Sequence, residues 1–162
     1  MSSRVLGLDP GPEQTALAWF DGASVGRHDI LGNEDILAVL AIPPSEGTKV
    51  FCEDIASYGM AVGATVFHTC RWIGRFWQQA EASGHNFNRV PRLAVKVHHC
   101  KSAKAKDANI RQALLDRLGP QGTKKNQGPT YGVRSHEWAA LAVAVYGYDQ
   151  ISGRSTNGGP PI

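Results

Sequence analysis

The chain has only three cysteines, Cys52, Cys70 and Cys100, and no two of them stand in a Cys-x-x-Cys spacing. A disulfide framework and a structural zinc site therefore have no support. Cys52 and Cys70 lie in apolar patterns and are expected to be core thiols. No apolar run approaches the roughly 20 residues of a membrane span. Met1-Ser2-Ser3-Arg4 lacks the apolar segment of a secretory signal, so a cytoplasmic setting is expected. Internal repeats and linker-like stretches are also missing. The 162 residues are read as one domain over 1–151 followed by a disordered tail over 152–162.

One further absence concerns charge. The stretch from Arg89 to Lys106 has no acidic residue. It carries Arg89, Arg92, Lys96, Lys101, Lys104 and Lys106, and Lys124, Lys125 and Arg134 form a second basic group. A net charge of +3 says little by itself. Its clustering reads either as solvated surface or as phosphate contacts.

What is present begins with Val5-Leu6-Gly7-Leu8-Asp9-Pro10-Gly11, an apolar strand ending in a carboxylate and a tight turn. Strands are expected over Arg4 to Asp9, Thr15 to Phe20 and Ser24 to Ile30, with Asp21-Gly22 as a hairpin signal. A short helix over Glu34 to Ile42 stops at Pro43-Pro44. Val50-Phe51-Cys52-Glu53 reads as a buried fourth strand, again closed by a carboxylate. Helical spacing of Val62, Val66, Cys70, Ile73, Trp77 and Ala80 predicts the longest helix, stopped at Gly84. Alternation over Arg92 to His98 predicts a fifth strand. Asp107 is expected to cap a helix with Ile110, Leu114 and Leu118 inside. A polar loop over Gly122 to Arg134 precedes a last helix from Ser135, its expected cap, to Asp149. This order describes an α/β protein with a five-stranded mixed sheet and helices on both faces, the order of the ribonuclease H-like fold.

Asp9 and Glu53 then end neighbouring strands. Two adjacent carboxylates repel unless a cation lies between them, and hard oxygen donors suit Mg²⁺ or Mn²⁺ rather than zinc. Asp9 in an Asp-Pro-Gly turn also has a simpler use as a turn cap. His136, at the start of the last helix, can ligate a metal or handle a proton; it can equally bond backbone. Glu137 and Asp107 are weaker candidates. Asp54 follows Glu53, so alternation sends it to the opposite face.

Leu8-Asp9-Pro10-Gly11, Glu53 closing the fourth strand, and His136-Glu137-Trp138-Ala139-Ala140-Leu141-Ala142 resemble RuvC-type Holliday junction resolvases. The phage-like branch of the ribonuclease H superfamily is the nearest. Ala56 to Met60, Trp72 to Phe76 and Gly122-Thr123-Lys124-Lys125 share the resemblance, which extends to about residue 150. It implies a homodimeric endonuclease of a bacterium or phage-infected host, cutting branched DNA with two Mg²⁺ (or Mn²⁺) ions per site. Asp9, Glu53 and His136 would be the metal ligands. Tyr58, Arg92, Lys96, Lys101, Lys104, Lys106, Lys124, Lys125 and Arg134 would contact DNA. The chain departs from the pattern at Ala139, where the family has an aspartate. Either Glu137, Asp107 or water completes the shell, or the chain binds branched DNA with little or no cleavage. A flap or fork nuclease of the same fold is a third reading. An actin-like sugar kinase shares the first strand and hairpin but needs two such domains, for which this chain is too short.

Overall fold

A computed structural model of the chain describes residues 2–154. Five strands form one sheet: β1 (Arg4–Asp9), β2 (Gln14–Phe20), β3 (Val25–Gly32), β4 (Thr48–Asp54) and β5 (Asn86–Pro91), in the order β3-β2-β1-β4-β5. The first three make an antiparallel meander, and β4 and β5 add in parallel on the other side of β1. Helices α1 (Asn33–Ala41) and α2 (Ala64–Ala82) cover one face. The other face carries α3 (Arg92–Cys100), α4 (Asp107–Leu118) and α5 (Glu137–Ser152). Every predicted strand but the fifth is present within two residues, and the mixed sheet with helices on both faces is as expected.

Alternation along the central strands sorts their side chains. Leu6, Leu8, Val50 and Cys52 pack with Ile36, Leu40, Ile73 and Phe76 of α1 and α2. Val5 and Phe51 turn to α5, into a cluster with Leu114, Leu141, Val143 and Val145. Asp9 and Glu53 follow this second register and therefore face α5. Asp54 takes the α2 face, where it pairs with Arg89 at 3.5 Å while the Arg89 guanidinium lies over the Trp77 ring.

Several expectations fail for identifiable reasons. Arg92 to His98 is helix, not strand; β5 precedes it over Asn86–Pro91. That strand forms the sheet edge and buries only Val90 fully, so its polar sequence Asn86-Phe87-Asn88-Arg89 gave no strand signal. Cys70 is exposed. The buried stripe of α2 runs Thr69, Ile73, Phe76 and Ala80, which is rotated from the predicted one and leaves Trp77 at the surface. Asp107 does not cap α4. Lys106 occupies that position, and its backbone N–H donates to the Asn109 side chain at 2.9 Å. Ser135 does not cap α5 either: it takes a left-handed conformation (φ 51°) and the helix begins after His136. Ser152, assigned to the tail, still closes α5; residues 155–162 of that expected tail lie outside the described residues. Among the described residues, no helix is long and apolar enough to cross a membrane.

The position of α5 depends on Gly7. A Cβ there would lie 2.2 Å from the Ala140 carbonyl oxygen and 2.6 Å from the Ala144 nitrogen, so only glycine lets this helix touch β1. At the other end of α5, the fully buried Asp149 accepts from Arg117 at 2.6 and 2.7 Å and from His98 at 2.7 Å. These bonds hold its carboxyl down at about 2 against the cost of burial. They tie α3, α4 and α5 together. Gly7→Ala must push backbone away from backbone, and a loss of about 2–3 kcal/mol is expected. Urea unfolding checks this, and an unchanged midpoint would mean that α5 can shift freely.

Candidate active site

The parallel pairing of β1 with β4 sets Leu8 opposite Cys52, so the next residues, Asp9 and Glu53, end adjacent strands on the same face. Both side chains are largely covered, with 15% and 12% of their surface exposed. The two carboxyl groups lie close enough for each to bear on the ionisation of the other. Burial raises both groups. For Glu53 the Asp9 charge adds to the effect, and its carboxyl is pushed up to about 7 although Arg92 opposes the shift. For Asp9, contact with His136 offsets part of the rise.

The turn after Asp9 is held by a residue that the sequence did not single out. Asn33 is buried at the start of α1. Its side-chain nitrogen donates to the Gly11 carbonyl at 2.9 Å, and its backbone N–H donates to Glu13 O at 2.9 Å. Thr15 donates to the Asn33 side-chain oxygen at 2.6 Å. The Asp-Pro-Gly turn is thus fixed by a satisfied buried amide rather than by Asp9 capping it, and the Asp9 carboxylate is left for other partners.

His136 reaches Asp9 from the start of α5, donating from Nδ1 to Oδ2 at 3.0 Å, with most of its ring in solvent. Arg92 lies on the other flank. One guanidinium nitrogen is 3.5 Å from Glu53 Oε1, and a second contacts Asp107. Asp107 is therefore joined to Glu53 through Arg92, at the rim of a hollow that it helps to line. Glu137 is not part of the site. It is buried, accepts from His28 Nδ1 at 2.6 Å and from the Arg134 backbone N–H at 3.2 Å, and so anchors the first turn of α5 to β3. His28 was missed, because a lone histidine in a polar strand gives no sign of a partner 109 residues away.

Two hollows flank the carboxylates and share Ser135 and His136. The smaller, about 140 Å³, is lined by Glu53, Arg92, Asp107, Trp138 and Ala139 among others. The larger, about 530 Å³, runs along Asp9, Gly11, Ile55, Thr65 and His136. Ala139 thus faces the site at the position where the resemblance expects an aspartate. Lys101, Lys104, Lys106, Lys124, Lys125 and Arg134 are exposed, and Lys96 is half-buried. Tyr58 is exposed on the loop after β4. Arg92, expected on DNA, is engaged with Glu53 and Asp107.

Among the described residues, no group of three or more His, Cys, Asp or Glu side chains stands as a ready-made metal cage. The donor set nonetheless fits a hard divalent cation. Two largely covered carboxyl groups at adjacent strand ends, both pushed upward by burial, are oxygen ligands of the right kind.

An α/β fold with this strand order is ribonuclease H-like, and solved structures narrow it. Thermus thermophilus RuvC superposes with a TM-score of 0.69 at 17% identity, covering 93% of this chain and 96% of that one. T. thermophilus RuvC in complex with a Holliday junction substrate gives 0.68 at the same identity and coverage. The chain has a RuvC-like fold. No protein-family model matches the sequence, and no curated protein does.

The raised Glu53 carboxyl has a consequence for stability. Its folded value, about 7, lies above the ordinary 4.5, so the folded state holds the extra proton. That contribution is complete below about pH 4.5 and disappears as pH rises through 7. Without divalent cations the chain should lose roughly 2 kcal/mol between about pH 5 and 8, and Glu53→Gln should remove most of that slope. Chemical denaturation across pH measures it. Identical slopes for the two proteins would show that Glu53 is not strained.

Proposed function

We propose that the chain is a divalent-cation-dependent endonuclease acting on branched DNA, with Holliday junctions as the foremost substrate. The observation that carries this reading is the buried Asp9–Glu53 pair at adjacent strand ends of a RuvC-like fold, with His136 bonded to it. T. thermophilus RuvC has been solved with a Holliday junction substrate, which supports branched DNA as the substrate class here.

Asp9 and Glu53 would hold the cation, Mg²⁺ or Mn²⁺. When bound, such an ion neutralises charge at phosphorus and lowers the pKa of water. Both carboxyl groups would hold it in their ionised form. His136 keeps a free ring nitrogen, Nε2, and accepts or returns a proton at the edge of the hollow while Nδ1 stays on Asp9. Glu137 and His28 act by holding the first turn of α5, and thus His136, in place. The exposed lysines of the α3–α4 connection and of the Gly122 to Arg134 loop would bind backbone phosphates, with steep salt dependence. Tyr58 and Met60, both largely exposed, would meet unstacked bases at the branch point. A two-fold homodimer would present two such sites to opposed strands.

Ala139 supports a second reading, a branched-DNA-binding protein with little or no cleavage, because an uncharged residue lines the hollow at a position of the expected ligand. The two readings separate on synthetic four-way junctions with Mg²⁺. In the nuclease reading the chain nicks the junction, and Asp9→Asn abolishes nicking while binding stays within a few fold. That variant removes one of two repelling charges, so folding is retained; equal nicking by both proteins would exclude Asp9 from the chemistry. Ala139→Asp is expected to raise the nicking rate at least about tenfold, the equivalent of about 1.4 kcal/mol of barrier. Nicking that appears only in this variant would establish the binding-protein reading instead. Flaps and forks run beside the junctions decide the preferred branch.

A further inference from the structure

Two residues, Ala139 and Arg92, set the charge balance of the site apart from that of a bare carboxylate pair. Ala139 brings no carboxylate to the hollow, and Arg92 brings a positive charge to it. The fold fixes Arg92 there. It opens α3 directly after β5, and the β4–β5 register sets Val90 opposite Glu53 and Pro91 opposite Asp54. Its guanidinium spans two acids, 3.5 Å from Glu53 on one side and in contact with Asp107 on the other. A planar fork can address both at once, and an ammonium group cannot.

A guanidinium is protonated at any working pH. Asp9, Glu53 and Asp107, when ionised, carry three negative charges, and Arg92 cancels one of them. One divalent ion neutralises the remainder. A second would leave two positive charges in excess and face repulsion from the guanidinium, whereas without Arg92 the excess is one and that repulsion is gone.

We propose that Arg92 takes the part of a second cation, so that the site binds one divalent ion where the resemblance implies two. This rests on the reading of Asp9 and Glu53 as cation ligands. Arg92 is then a positioning residue: it holds Glu53 toward the single ion and keeps Asp107 occupied at the rim.

Counting bound ions tests this without reference to cleavage. The full chain is titrated with Mn²⁺, and the free-ion electron paramagnetic resonance signal gives the number bound at saturation. One Mn²⁺ per chain is expected for the native sequence and for Arg92→Lys. Two are expected for Arg92→Gln, the second weaker and broadened by its neighbour, with an unchanged circular dichroism spectrum. Two ions in the native chain, or one in folded Arg92→Gln, would overturn the role of Arg92 while leaving the cation site intact. No bound Mn²⁺ in the native chain would overturn the cation-site reading itself. If Arg92→Gln does not fold, the native count decides alone: one supports the proposal and two refutes it.

Discussion

Parallel pairing of β1 with β4 forces the Asp9 and Glu53 carboxyl groups together at a place where water cannot fully screen them. Backbone hydrogen bonding sets that proximity, so neither side chain can relieve it by choosing another rotamer on the opposite face. Everything near the site answers this one electrostatic problem. Glu53 is pushed up to about 7, His136 donates to Asp9, and Arg92 flanks Glu53. Gly7 matters for the same reason, because it brings α5 close enough to β1 for His136 to reach Asp9.

The two ends of α5 make the point by contrast. At its C-terminal end Asp149 is more deeply buried than Asp9, yet two guanidinium bonds and an imidazole satisfy it, and its carboxyl falls to about 2. At the N-terminal end the carboxyl groups rise. The helix thus ends at a sealed ion cluster that holds the fold and begins beside a carboxyl pair that faces open hollows. Strained ionisation beside accessible space marks a functional site, whereas full satisfaction marks a structural one.

Much of this was legible in the sequence wherever the signal was local. Apolar runs ending in Asp9 and Glu53, the Pro10-Gly11 turn and the Asp21-Gly22 hairpin fixed four strands and the positions of both carboxylates. The same rules failed over Arg89 to His98, because β5 is an edge strand with polar residues, and α3 alternates apolar residues as a strand would. Cys70 and Trp77 were misplaced by choosing the wrong stripe of a helix that has apolar residues on more than one face. Partners distant in the chain were invisible: His28 with Glu137, Asn33 with Gly11, and Arg92 with both Glu53 and Asp107. Glu137 could not be assigned because the left-handed Ser135 delays the helix start and so sets which side chain of that turn faces the carboxylates.

The Asp9–Glu53 pair is proposed to hold a divalent cation. Crystals soaked in Mn²⁺ and measured at the manganese absorption edge test it most directly. An anomalous peak in contact with oxygens of both Asp9 and Glu53 is the predicted result. A map with no peak there at saturating Mn²⁺ would contradict it.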